Sequence, residues 1–378
     1  MRRERAVASF AGVRAHGVLE CVDVVAEPQR LAAGGWWAVS GDFSGRVRAW
    51  RFAHVERSEG GGAREGTSVS DAGLPGDVSH SVAAWRGPDP TAWSSSMSRA
   101  EYEGAVSATR AAIREGDVYQ ANICRVLRAP LPAEADGTEP DALALGARLA
   151  AGNPAPFAGT LHVPEGAGVP PAWIVSASPE LFLRLEDGRL TSSPIKGTAT
   201  VPAGLTEKDR AENVMITDLV RNDLQRVCEP GTVDVTALLA VEQHPGLVHL
   251  VSTVTGALEP EVRDAPDAWG RIFRATYPPG SVSGAPKSSA LRTIDALEPV
   301  DRGPYCGAFG WIDADAGRAE LAVAIRTFWW EATEGGVLRF GTGAGITWGS
   351  DPAAEWEETE LKARRLVAIA SSGRDWTP

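Results

Sequence analysis

Ser178-Pro179-Glu180-Leu181-Phe182-Leu183-Arg184-Leu185-Glu186-Asp187-Gly188-Arg189-Leu190-Thr191-Ser192-Ser193-Pro194-Ile195-Lys196-Gly197-Thr198 decides the fold class. Residues 173–185 and 189–198 read as two extended runs, joined by the turn residues Glu186-Asp187-Gly188-Arg189. A hairpin of this kind is antiparallel. Glu180 and Lys196 then lie on neighbouring strands, and both can face one pocket. The next periodic segment is a helix from about Thr206 to Arg226, so strand follows strand before any helix appears.

The same mixed order continues outward. Downstream, a helix over Ser288–Leu297 starts just after Pro286. Strands follow at Tyr305–Asp313, Ala319–Trp329 and Val337–Gly341. A last helix has Asp351 as N-cap and Pro352 at its first position, where a missing N–H costs nothing. Upstream, Val118–Leu127 alternates as a strand, with Gln120 and Asn122 on one face. Before it, Ser98 and Glu101 form a capping box for a helix that stops at Gly116. Gly34–Val55 suggests a strand pair turning near Ser44-Gly45, with few strong apolar strands around it. Glu59–Asp71 is Gly-rich and reads as a loop, and Gly87–Ser96 is turn-rich. No regular strand–helix–strand alternation emerges, which favours an α+β class over a doubly wound sheet. A soft boundary near residue 95 separates a short, dependent N-terminal portion (1–95) from a catalytic region (96–372).

Composition narrows the function. Hydrophobic residues make up 43% and charged residues 23%, as in a globular chain. With 37 basic and 49 acidic residues the net charge is −12, which argues against nucleic-acid binding. An anionic ligand would need its positive groups gathered in one pocket. Cys21, Cys124, Cys228 and Cys306 form no Cys-x-x-Cys pair. No apolar run has the length of a signal peptide's core or a membrane span, so a cytoplasmic protein is expected, with no membrane partner.

Several groups have the chemistry of a site. Glu355, Glu358 and Lys362 fall within about 60° on one helix face. Asp209 and Glu212 are likewise at i, i+3 on the 206–226 helix. Two acid pairs on two helices suit a hard divalent cation, and each pair alone also reads as a solvated face. Gly341-Thr342-Gly343-Ala344-Gly345 follows a strand and reads either as an anion-binding backbone or as a plain turn. Ser283-Gly284-Ala285-Pro286-Lys287 precedes a helix, where N–H groups favour anions. Arg326 interrupts an apolar strand. Lys196 is either a surface lysine or an amine nucleophile with a lowered pKa. His249 and Tyr305 lie in apolar surroundings, where a satisfied core hydrogen bond is the plainer role.

Taken in order, these blocks resemble the chorismate-utilising enzymes, the family of anthranilate synthase component I, aminodeoxychorismate synthase component I and isochorismate synthase. The resemblance rests on Gly116–Asn122, Ser178-Pro179-Glu180, Pro194–Thr198, Lys208–Asn213, Arg221–Leu224, His249–Ser252, Gly280–Lys287, Arg302–Tyr305, Ile325–Thr327, Gly343–Gly345 and Ser350–Thr359. It covers roughly residues 98–370. It implies an α+β sandwich of two antiparallel sheets with outer helices.

The resemblance also implies a site and a reaction. Mg²⁺ would be held by Glu212 and Glu358, with Asp209 and Glu355 on its waters. Gly343, Gly345 and His249 would meet the ring carboxylate of chorismate, and Ser283 would line the substrate. Tyr305, Arg326 and Lys362 would hold the enolpyruvyl carboxylate. Gln120 stands where water-adding members use a lysine base, and an amide cannot take a proton from water. A nitrogen nucleophile is therefore expected. The Pro-Ile-Lys-Gly-Thr form of residues 194–198 resembles the aminodeoxychorismate branch, since anthranilate synthases usually have alanine at the position of Lys196. Lys196 would then form a covalent adduct, and Glu180 would protonate the leaving hydroxyl. Ammonia would come from a glutamine amidotransferase subunit. The product would serve 4-aminobenzoate and folate formation. An anthranilate-forming enzyme and a non-catalytic chorismate-binding paralogue are the alternatives.

Overall fold

The structure, a computed structural model, describes residues 2–57, 84–199, 201–244 and 247–371. The Gly-rich stretch 59–71 lies outside them. The chain opens with β1 (Val7–Phe10), β2 (Val13–Asp23) and the hairpin of β3 (Trp36–Gly41) and β4 (Val47–Arg57). Gly45 turns that hairpin with φ +101°. After β5 (Ser94–Ser95) comes α1 (Arg99–Glu115), closed at one end by the reciprocal Ser98–Glu101 cap and at the other by Gly116 in the left-handed region. Then follow β6 (Gln120–Pro130), α2 (Ala142–Gly152), β7 (Phe157–Val163), β8 (Ala172–Ser178), β9 (Leu181–Glu186), β10 (Arg189–Ser193) and β11 (Ile195–Ala199). The helix α3 (Glu207–Gln225) leads to β12 (Asp234–His244) and β13 (Leu247–Ala257). The remaining elements are α4 (Pro260–Arg263), α5 (Ala268–Thr276), β14 (Gly284–Ala285), α6 (Lys287–Leu297), β15 (Ala308–Asp313), β16 (Arg318–Val323), β17 (Thr327–Glu331), β18 (Val337–Ile346) and α7 (Pro352–Ser371).

The α+β class holds. The two antiparallel layers are halves of one hydrogen-bonded sheet of 18 strands among the described residues. One half runs β13, β10, β9, β16, β15, β3, β4, β2, and the other runs β7, β8, β17, β18, β6. The strand β1 joins them by pairing with both β2 and β7. Trp37, Val39, Phe309 and Leu321 from one half meet Ala8, Val126, Leu161 and Ile174 from the other in a single core. The rings of Phe10 and Phe309 are 5.2 Å apart across it. Helices cover the outside: Tyr102 and Val106 of α1 and Ala290 and Ile294 of α6 lie on Ala121, Ile123 and Ala344. Burying such apolar side chains is the main stabilising term.

Three expectations from the sequence are corrected. The 173–185 run is two strands, because the chain leaves β8 in one half at Pro179-Glu180 and enters β9 in the other. The 319–329 run breaks in the same way at 324–326, between β16 and β17. These crossings lie side by side: Val323 N–H donates to Glu180 O, and Ala177 N–H donates to Arg326 O, each at 3.0 Å. A chain passing between layers must give up its ladder, and Arg326 does so with φ +53°, rare for a residue with a side chain. Third, the Gly-rich 341–345 segment is no turn. It is the continuation of β18, paired with Asn122–Val126 of β6. The N-terminal strands are also more apolar than expected, since all six residues of β3 are buried and pair with β15.

Candidate active site

The site lies where the two crossings, the inner face of β6 and the start of α3 come together. Period-two geometry sends Ala121 and Ile123 out to the helices and Gln120, Asn122 and Cys124 inward. The two inward amides differ. Asn122 Nδ2 donates to Cys124 Sγ at 3.1 Å. The Gln120 Oε1 atom is buried and accepts no hydrogen bond among the described residues. Buried polar atoms are rarely left so, and this one is free for a ligand.

The glycines of β18 make room for this face. A Cβ at Gly341 would strike the Tyr305 ring, with Cγ 2.0 Å away. At Gly345 it would lie 2.2 Å from Gln120 Nε2 and 3.6 Å from Lys196 Nζ. Close approach, not a turn, is what these positions require. Lys362 Nζ donates to Gly343 O at 3.0 Å, so that carbonyl points away from β6. In an extended strand the N–H of the same residue points the same way. Gly343, and Gly345 two residues on, therefore aim N–H groups toward α7 and the site.

Lys196 enters from β11. Its ammonium donates to Ser281 O at 2.8 Å. Burial is the largest influence on it and pulls its pKa below the ordinary lysine value, with Lys362 helping and Glu212, Glu180 and Glu358 opposing. Gly197, with φ +83°, follows it, and a Cβ there would lie 2.7 Å from Asp209 Cβ. Glycine lets α3 close directly onto the lysine strand.

Glu180 is 3% exposed, and its Oε1 accepts no hydrogen bond among the described residues. Burial raises its pKa, against the pull of Ser281, Lys196, the Ile195 N–H and Arg326. It lines a pocket with Ser192, Asp223, Thr276 and Ser281. A raised acid beside a lowered amine is the arrangement that proton-transfer chemistry uses. Arg326 stands in the field of Glu180, and burial lowers its pKa.

The acids of α3 and α7 form the remaining wall. Glu355 and Glu212 share one ammonium: Lys208 Nζ lies 3.3 Å from Glu355 Oε1 and 3.7 Å from Glu212 Oε1. Burial raises the Glu212 pKa, opposed by Lys196 and Lys208. Glu358 meets Lys362 at 2.7 Å. Burial opposes its ionisation, yet Lys362, Lys208 and Lys196 together hold its carboxyl below the ordinary value. Asp209 is drawn elsewhere by one oxygen: Oδ2 accepts from Thr206 N–H and Oγ1 as the helix cap. Among the described residues no three His, Cys, Asp or Glu side chains gather as a ready ligand cluster. The residues nevertheless fit a hard cation. Their donors are carboxylate oxygens, Glu212 Oε1 is buried without a hydrogen bond, and a cation already sits between Glu212 and Glu355.

The other expected residues are close to this frame in different ways. His249 is buried on β13, opposite Thr198 of the lysine strand. Tyr305 is buried over Gly341, and burial pushes its hydroxyl pKa well up. Ser283 is buried, and its hydroxyl donates to Pro279 O at 3.0 Å within its own loop. Two contributors were not expected from the sequence. Ser281 supplies the carbonyl that holds Lys196, and Lys208 bridges the acids. The signal for Lys208 is its i, i+4 spacing to Glu212.

Comparisons with known proteins identify the family. Residues 63–368 match the family described as chorismate binding enzyme. The chain is 38% identical over 289 residues to aminodeoxychorismate synthase component 1 of Salmonella typhimurium, covering 73% of this chain and 59% of that protein. It is 37% identical over 285 residues to anthranilate synthase component 1 of Saccharolobus solfataricus, covering 72% and 62%. The chain thus spans about three fifths of the length of these relatives. Among solved structures, anthranilate synthase component I from Streptococcus pneumoniae superposes with a TM-score of 0.66 at 25% identity, over 95% of this chain and 81% of that one. The menaquinone-specific isochorismate synthase of Escherichia coli shares the fold, with a TM-score of 0.69 at 19% identity over 97% and 88%. Among the described residues no helix is long and apolar enough to cross a membrane. The chain belongs to the chorismate binding enzyme family.

Proposed function

We propose that this chain is an aminodeoxychorismate synthase component I, converting chorismate and ammonia to 4-amino-4-deoxychorismate. The observation that carries this reading is the setting of Lys196. Its side chain is half-buried with the amino group held by Ser281 O, burial lowers its pKa, and the charges of Glu180, Glu212 and Glu358 act on it. A neutral amine is a nucleophile, and an ammonium is not.

Lys196 attacks C2 of the ring. The two ring double bonds shift in turn, to C1–C6 and C4–C5, and the C4–O bond breaks. Glu180 gives its proton to the departing hydroxyl, which leaves as water. The new C2 nitrogen sheds a proton. Ammonia then attacks C4, both double bonds shift back, and the C2–N bond breaks. Ammonia loses a proton and Lys196 regains one. Two easier displacements replace one hard one. Gln120 is neutral and cannot deprotonate water, which disfavours hydroxylation.

The carboxylates of the substrate meet groups on this chain. Gly343 and Gly345 would offer N–H groups, with His249 and Ser283 as further contacts to the substrate. Tyr305, Arg326 and Lys362 offer donors and positive charge. Glu212, Glu355 and Glu358, with Asp209, would hold Mg²⁺. A divalent cation there supplies Lewis-acid neutralisation of a carboxylate. Ammonia would come from a glutamine amidotransferase subunit, and the name component 1 in the relatives supports a two-part enzyme. A separate lyase would complete 4-aminobenzoate.

Anthranilate synthesis is the second reading, favoured by the 37% identity to the Saccharolobus enzyme. Incubation with chorismate, Mg²⁺ and ammonium, with and without aminodeoxychorismate lyase, separates the two. We expect 4-aminobenzoate in the presence of the lyase alone. Fluorescent anthranilate without lyase overturns the first reading.

A further inference from the structure

Four of the 37 basic residues are lysines, and 33 are arginines. The four are Lys196, Lys208, Lys287 and Lys362, and all of them touch the site or its walls. Lys196 and Lys362 are described above. Lys287 Nζ is 2.6 Å from Asp223 Oδ2, on the wall of the cavity that Glu180 lines. A chain that uses arginine nearly everywhere keeps lysine where a compact, mobile ammonium differs from a rigid fork.

Lys208 is the lysine without an evident role. It stands in the first turn of α3, where the helix dipole disfavours a cation. Local helix energetics therefore do not call for it. What it does is bridge α3 to α7 through Glu212 and Glu355. The two acids are fixed, with side chains 15% and 5% exposed, whereas the Lys208 side chain is 47% exposed on a flexible stem. Two anchored anions share a cation that can swing away.

We propose that Lys208 is a tethered placeholder cation, which holds Glu212 and Glu355 together until a divalent cation displaces its ammonium into solvent. Without it, two carboxylates on facing helices would repel, and the mouth of the site would open. With it, the acids stay in place, and the metal must compete for them. This rests on the metal reading given under the proposed function.

The test is Mn²⁺ binding to the whole chain, followed by electron paramagnetic resonance without chorismate. Lys208→Met should bind Mn²⁺ about tenfold tighter than the unmutated protein, the effect of removing two screened contacts. Lys208→Arg, whose rigid fork holds the two carboxylates more firmly, should bind Mn²⁺ more weakly than the unmutated protein. Without metal, Lys208→Met should melt at lower temperature. Equal or weaker Mn²⁺ binding by Lys208→Met overturns the placeholder role. Glu212→Gln tests the metal reading separately: binding unchanged there places the cation elsewhere and sinks both. A second readout needs no variant. With four lysines, acetylation is easily mapped by mass spectrometry. Saturating Mn²⁺ should speed modification of Lys208 severalfold and leave Lys287 unchanged; an unchanged Lys208 rate also overturns the proposal.

Discussion

The inner and outer parts of the site treat charge in opposite ways. Around Lys196 and Glu180 ionisable groups are buried, and burial dominates both: it lowers the amine and raises the acid. Each is thereby moved toward its neutral form. Between α3 and α7 the acids each have a partner on a flexible stem, Lys208 for Glu212 and Glu355, and Lys362 for Glu358. Both lysines are about half exposed, so these pairs exchange readily with solvent. Under the proposed reading, the inner part serves proton transfer and the outer part the exchange of one cation for another.

The largest effect should come from removing the inner amine. Lys196→Ala should lower aminodeoxychorismate formation roughly 10³-fold or more and abolish any covalent adduct by intact-protein mass spectrometry. Chorismate binding, measured by calorimetry, should survive, because the carboxylate-binding groups remain. Adduct formation by the variant would remove Lys196 as nucleophile. Glu180→Gln is next, with a loss of about 10²–10⁴-fold in kcat. Its pH profile gives the sharper test. Rate should rise with pH as Lys196 loses its proton, at lower pH than an ordinary lysine. It should fall as Glu180 ionises, at higher pH than an ordinary glutamate. Glu180→Gln should erase the falling limb and keep the rising one. A falling limb that persists would assign the acid elsewhere.

This contrast was partly legible in the sequence. Acids at i, i+3 on two helices follow directly from helical spacing, and the caps at Thr206 and Asp351 fix where those helices begin. The hairpin turn was legible too: Asp187 and Gly188 both have positive φ, as a tight hairpin turn demands. What could not be read was the pair of crossings. Apolar runs through Pro179-Glu180 and Ala324–Arg326 look continuous, because both layers bury them. Only the pairing of β8 with β17 and of β9 with β16 shows the break. The glycines at 341, 343 and 345 misled for a related reason. Glycine suits a turn through its backbone freedom, but here it is needed for its missing Cβ. Lys208 was legible from its i, i+4 spacing to Glu212 and from the scarcity of lysine.

The smallest expected effect falls on Asp209, which both parts of the site claim. By spacing it belongs with Glu212 as a metal-side acid. By contact, one of its oxygens caps α3 through Thr206, and its Cβ and Cγ rest 2.7 and 3.0 Å from where a Gly197 Cβ would be. Those bonds are local and solvent-facing, so Asp209→Ala should cost about 0.5–2 kcal/mol of stability, read by denaturant unfolding. The Mg²⁺ concentration for half-maximal rate should change far less than in Glu358→Gln, since Glu358 is held ionised by three lysines and Asp209 spends one oxygen on the cap. Should Asp209→Ala instead match Glu358→Gln in its metal titration with unfolding unchanged, the cap would be incidental. The division would then be redrawn, with the start of α3 belonging wholly to the cation-exchanging mouth.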